Sequence, residues 1–352
     1  MKTITKKIKL ALVLCLGLTI TALNAQTTHI VNNNAGTAVD FTDLQAAIDA
    51  AANGDIIHVQ QSSTSYGNVT LNKELTIIGR SHSDASYSSS IGTLELVEGC
   101  SNSVIKGLEI QSISDPFNPA GTFPLIEDVV IQDNKISDMQ NFGVYRTFNN
   151  ILMQGNIIGS FSTGANTSNF LITNNIFTSS FLSFGMVDTL LFSNNIISSS
   201  IGISISNNTP DLLNISNSMF ISDRFNDVSV SFSSSTGTFL ITNCLTYNYD
   251  ANYNFATGSN ITISNSQENI DPLFTFRDGS PGSIGTAQQF NPVLDDLMLQ
   301  AGSPFINDGI YEAYNFKPLG TPAGLPSLKI DSYDPTVPKN SDLTVTITAK
   351  TN

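Results

Sequence analysis

The chain has 352 residues, 15 Lys or Arg against 29 Asp or Glu, a net charge of −14, and only 12% charged residues beside 40% hydrophobic ones. An acidic protein of this kind repels phosphate backbones and anionic lipid surfaces, which argues against nucleic acid as a partner. With so few charges, the polar surface must come from Ser, Thr and Asn, which suits walls of β-structure better than a helical bundle.

In chain order, residues 1–25 form a separate unit. Lys2, Lys6, Lys7 and Lys9 precede an apolar run over 10–20, and Thr21-Ala22-Leu23-Asn24-Ala25 follows. That order predicts a secretory signal peptide cleaved after Ala25. The run is shorter than the ~20 residues that span a bilayer, and no later segment is longer and as apolar. Cys15 is poorly placed for lipidation, because Leu14 stands where a small residue is needed. The expectation is a secreted protein, outside the cell or on the outer surface of a bacterium. Without the four leader lysines, 11 basic residues face 29 acidic ones, a net charge of −18.

Residues 26–60 read as an N-terminal cap and first strand. Over 40–53, Phe41, Leu44, Ile48 and Ala51 or Ala52 share one helical face, and Gly54 is a stop. Asp55-Ile56-Ile57-His58-Val59 then reads as the first strand. A helix lying across the first coil shields the end of a solenoid core.

Residues 61–285 repeat. Val129-Val130-Ile131-Gln132-Asp133-Asn134, Ile151-Leu152-Met153-Gln154-Gly155-Asn156, Phe170-Leu171-Ile172-Thr173-Asn174-Asn175 and Leu190-Leu191-Phe192-Ser193-Asn194-Asn195 are the clearest copies. Turn residues at 79, 107, 133, 155, 174, 194, 217, 243 and 265 mark units of 19 to 28 residues. No helical pattern separates the markers, so each unit is one coil of short parallel strands stacked on the next. Asn134, Asn156, Asn175 and Asn195 fall at one position in successive coils. Asn tolerates the left-handed conformation and bonds locally, so these four predict a structural ladder at a sharp bend. Gly143-Val144-Tyr145, Gly202-Ile203-Ser204-Ile205 and 227–232 predict a further strand per coil. Cys100 and Cys244 lie about six coils apart, roughly 29 Å at ~4.8 Å per coil, too far for a disulfide. They are expected buried and unpaired.

Residues 286–320 read as a closing segment, in which Asp295-Asp296 caps a helix or sits in a loop. Residues 321–352 read as a Pro-rich tail with a terminal strand over Leu343, Val345 and Ile347, and Leu328 and Ile330 in a possible partner. The fold class expected is all-β: a right-handed parallel β-helix of about nine coils, with an N-terminal capping helix and a short C-terminal β-rich tail.

Asp40-Phe41-Thr42-Asp43-Leu44-Gln45-Ala46-Ala47-Ile48 through Gly54-Asp55-Ile56-Ile57 resembles the N-terminal cap of pectate-lyase-like β-helix proteins. Asp271-Pro272-Leu273-Phe274 and residues 299–306 resemble the closing segment of secreted bacterial members. That resemblance covers roughly residues 30–310 and implies a fold; its members include lyases, hydrolases, epimerases and adhesins. Its lyases use Ca²⁺ held by carboxylates and an Arg or Lys base, and its hydrolases use clustered Asp residues. Neither Asn-Thr-Asp nor Arg-Ile-Lys occurs in the coils. His29, His58 and His82 have no ligand at metal spacing, so no metal site and no cofactor are expected, with Ca²⁺ entering only for a lyase. Two small groups are candidates for glycan binding: Asp138, Tyr145 and Arg146, with Tyr stacking on a sugar, and Asp223, Arg224 and Asp227. Only six Lys or Arg lie between residues 80 and 280, too few to hold a polyanion well. The expectation is therefore a non-catalytic surface or matrix protein, with a polysaccharide or cell-surface glycan as partner. The alternative is a polysaccharide lyase.

Overall fold

The computed structural model describes residues 26–80, 88–178, 181–185, 189–198, 202–205, 212–222, 228–234, 237–248, 251–276, 296–305, 327–333 and 345–350. The chain is mostly β, a parallel β-solenoid of about eight turns with one short helix. The nine coils counted from markers become about eight because the marker at Asn265 opens no further coil. Among the described residues beyond it, a single bridge, Leu245 to Gln267, continues the second wall.

The first wall is a ladder of parallel strands. It starts at β1 (Thr28–Val31) and β2 (Ile56–Val59), passes through Val130–Gln132, Thr147–Gln154, Thr167–Thr173 and Leu190–Ser193, and ends at Ile261–Ser264. The second wall runs from Val69–Leu71 through Lys135–Phe142 and Ile157–Thr163 to Leu245–Asn248. From Ile157–Thr163 onward it divides, and Phe181–Phe184, Gly202–Ile205, Val228–Ser234 and Tyr253–Phe255 form a third set of rungs. Gly143-Val144-Tyr145, expected in such a strand, is a turn instead. Gly143 has a φ of 88°, and the chain swings outward there to seat Tyr145 and Arg146 on Asp115.

The N-terminal end differs from the expectation in two ways. The first strand is β1, not 55–59; it pairs in parallel with β2, Thr28 opposite Ile56 and Val31 opposite Val59. Four residues with no marker behind them carry too little pattern to be seen in sequence. The helix α1 (Leu44–Ala50) is shorter than 40–53. Asp43 accepts the Ala46 N–H at 2.7 Å as N-cap, and Ala51 is already extended. Phe41 bridges to Val31 instead of joining the helix. Leu44, Ala47 and Ile48 are fully buried, so the helix shields the first coil as expected.

Period-2 alternation sends one row of each strand inward. Ile151, Phe170, Leu190, Leu213 and Phe239 align rung on rung, as do Met153, Ile172, Phe192, Ile215 and Ile241. All ten are buried, and each fully buried aliphatic or aromatic side chain stabilises by roughly 1.5–3 kcal/mol. At the far end the same row reaches Ile263, which is 38% exposed.

A second apolar cluster lies on the other side of the second wall. Ile157, Ile176, Ile196, Met219 and Leu245 form one row in register and pack with Phe274 and Phe305. The neighbouring residues Ile158, Phe177, Ile197 and Phe220 belong to the main core, as alternation requires. The closing segment brings Phe305 there. Asp296–Leu299 pairs antiparallel with Phe274–Phe276, so Asp296 lies in a strand and not in a helix cap or loop. Ser303 Oγ then donates to the Pro272 carbonyl at 2.8 Å. The tail contains an antiparallel pair, Ser327–Tyr333 with Val345–Lys350.

Cys100 and Cys244 are both free and buried. Burial pushes each thiol up to about 12.

Candidate functional site: an uncharged face and a tied loop

The bend between the two walls sets the geometry of everything outside it. The marker residue, not the ladder Asn, takes the left-handed conformation. Asp133, Asn174, Asn194, Asn217, Asn243 and Asn265 have φ between 48° and 55°, and Gly155 has 67°. The next residue turns inward and bonds along the stack. Asn156 Oδ1 accepts the Asn134 N–H at 3.0 Å, Asn175 Oδ1 accepts that of Asn156 at 2.9 Å, and Asn195 Oδ1 that of Asn175 at 2.8 Å. Each Nδ2 of these buried amides donates back to a carbonyl of an earlier coil, Asn175 to Met153 at 2.9 Å. The series also extends past its Asn members. Leu108 donates its N–H to Asn134 Oδ1, Asn195 to Ser218 Oγ, and Cys244 to Ser266 Oγ. Ser218 and Ser266 supply the side-chain oxygen where Asn is absent, while Leu108 and Cys244 hold the same position without one.

Because every coil bends alike, the outward residues of the first wall form two straight rows. One row reads Val130, Leu152, Leu171, Leu191, Asn214, Leu240, Thr262; the other reads Gln132, Gln154, Thr173, Ser193, Ser216, Thr242, Ser264. Neither contains a charged residue over these seven rungs. Leu171 is 38% and Leu191 46% exposed. Ser193 Oγ donates to Thr173 Oγ1 at 3.3 Å, so hydroxyls also link along the row. Among the described residues of the wall's strands, charges return toward the N-terminal end, at Lys106 in the second row and Glu127 beside Asn149. A wall of Ser, Thr and Asn was expected from composition; the aliphatic row beside the hydroxyls was not.

The candidates named from sequence fall as follows. Arg146 is buried, with Nη1 donating to Asp115 Oδ1 at 2.8 Å and to the Pro116 carbonyl at 2.6 Å, and Nη2 3.3 Å from Glu98 Oε2. Asp115 Oδ2 accepts the backbone N–H groups of Tyr145 and Arg146. Both terminal nitrogens of the guanidinium are thus committed to protein partners, while the buried Nε bonds to none. Tyr145 meets Phe117 edge to face, ring centroids 5.3 Å apart. Asp138 stands apart in the second wall, in register with Ser112 and Ser160, and is bonded to neither Tyr145 nor Arg146. Asp223, Arg224 and Asp227 lie outside the described residues. Glu98, Asp115 and Phe117 were missed; the Asp115-Pro116-Phe117 step with Pro119 and Pro124 was the available signal of a stiff loop.

Among the described residues, no group of three or more His, Cys, Asp or Glu side chains is gathered as a metal site. No helix among them is long and apolar enough to cross a membrane. No family model, no curated protein and no solved structure matches the chain. Its assignment as a parallel β-solenoid of about eight turns therefore rests on its own strand ladders.

Proposed function

We propose that the protein is exported and acts as a surface or matrix protein that holds a neutral glycan, without cleaving it, on the outer face of the first wall. The observation that carries this is the pair of uncharged rows running seven rungs on an otherwise acidic chain. The aliphatic row suits the C–H face of a sugar ring, and the Gln, Thr and Ser row beside it suits hydroxyls. Rungs recur every ~4.8 Å, and an extended β-1,4-linked chain advances by close to one rung per sugar. Neutral ligands incur no repulsion from a protein of net charge −18, whereas polyuronates do. The resemblance of residues 40–57 and 271–306 to secreted pectate-lyase-like proteins, together with the leader-like residues 1–25, supports export and a glycan-rich setting.

The test is retention on insoluble neutral polysaccharides compared with an immobilised polyuronate. The expected result is retention on the neutral polymer only, lost in Leu171→Asp and Leu191→Asp while the far-UV β spectrum is kept. Equal or stronger retention on the polyuronate overturns the proposal. So does formation of an unsaturated, ultraviolet-absorbing product from uronates with or without Ca²⁺, which is the outcome expected of a lyase.

A further inference from the structure

The excursion over residues 115–124 carries an exposed apolar surface that folding alone does not explain. Phe117 is 70% exposed and Phe123 55%. Apolar side chains collected on one projecting loop generally mark a contact surface. The loop is also held in place. Arg146 grips its first two residues through Asp115 and the Pro116 carbonyl. Asn118 closes its tip, accepting the Ala120 N–H at 3.1 Å and donating to the Thr122 carbonyl at 2.9 Å. Pro116, Pro119 and Pro124 restrict the backbone further. Fixing a loop before a partner arrives lowers the entropy that binding must overcome.

The charge around the loop base selects the partner. Arg146 is buried between two carboxylates, Asp115 and Glu98, which leaves one negative charge in excess. Glu98 supplies it at the surface, its side chain 48% exposed. Its carboxylate and the Pro116 carbonyl bond to the two terminal nitrogens of one guanidinium, so Glu98 shares Arg146 with the chain neighbours of Phe117 and Tyr145. An aromatic pair near a group of two carboxylates and one guanidinium suits a cation, which gains from both the ring quadrupole and the net negative charge.

We propose that residues 115–124 form a recognition loop, in which the Phe117–Tyr145 pair and Glu98 take a lysine or arginine side chain of a basic partner polypeptide. This site is separate from the glycan face and does not depend on it.

The experiment uses the full chain and a tetralysine peptide, titrated by calorimetry at about 0.15 M salt, where charges farther than ~8 Å are largely screened. Phe117→Ala and Glu98→Gln are each expected to weaken binding by roughly two- to five-fold or more. Asp49→Asn removes another exposed negative charge, from α1 and outside the loop, and is expected to leave binding unchanged. Phe117 is mostly solvated, so its truncation leaves the core intact. Equal weakening by all three variants means that only the overall charge attracts the peptide, and overturns the proposal. Absence of binding, or binding untouched by Phe117→Ala, overturns it as well.

Discussion

Asn175 illustrates how much a single side chain holds in this fold. Its Oδ1 accepts from Asn156 N and Nδ2, and its own Nδ2 donates to Met153 and Thr173 carbonyls, all out of reach of water. Truncation strands several buried polar groups, each costing ~1–3 kcal/mol. Asn175→Ala should lower the unfolding free energy by about 3 kcal/mol, measured by chemical denaturation. Asn175→Ser should cost less than half of that, because Ser218 already serves Asn195 in the same way. The two thiols make the opposite point. With both held near 12 by burial, the thiolate fraction at neutral pH is negligible. Cys100 and Cys244 should stay unreactive toward a chromogenic disulfide reagent in the native protein and react together once denaturant is added. A fast-reacting thiol in native protein would contradict the burial described. The Asn positions were legible in sequence because they repeat. Which residue of each pair is left-handed was not legible in the Asn-Asn copies, which read alike either way; copies with two different residues, such as Asp133-Asn134, Gly155-Asn156 and Asn217-Ser218, break the tie.

At the scale of elements, the start of the solenoid is where acid should act. Burial opposes the ionisation of Asp55, but bonds from the Thr27 and Ala52 N–H groups and from His29 outweigh it and hold the carboxyl below 3.8. His58, half-buried in β2 near Lys106 and Arg80, has its pKa lowered from 6.5 by burial first and by those cations second. Below about pH 6.5 the unfolded chain takes up a proton that folded His58 refuses, so stability falls as pH drops toward the folded pKa. The Asp55 contribution persists to lower pH, being present above 3.8 and lost as pH falls through the folded value. The thermal midpoint should therefore decline between about pH 7 and pH 5, and His58→Gln should flatten that decline; an unchanged slope in the variant would sink the assignment. Long, periodic elements such as 129–134 and 151–156 were legible in sequence. β1 and the limits of α1 were not, because β1 is defined by its partner β2 and α1 by one capping carboxylate. The candidate site was legible only in part. Tyr145 and Arg146 drew notice as polar residues, but their meaning came from Asp115 and Glu98, distant in sequence and joined only by the coil geometry.

For the whole molecule, two surfaces follow from one repeated bend. Rows stay straight because each coil turns alike, which is why substitutions at Leu171 or Leu191 are expected to alter adhesion and not folding. The row that starts at Ile157 is apolar on the opposite wall because the chain returns over it with Phe274 and Phe305. Sequence patterning alone does not tell an outward apolar row that is covered from one that is free. The ladders have a mechanical consequence. The bonds that join coils run along the solenoid axis, so tension along that axis loads them in opening, a rung at a time. Tension along the strands must instead shear whole walls at once. With coils of 19 to 28 residues, each rung that opens frees a tether of roughly 60–100 Å. Such a rod, held at its helix-covered end and pulled at the other, lengthens in steps and gives way gradually under load.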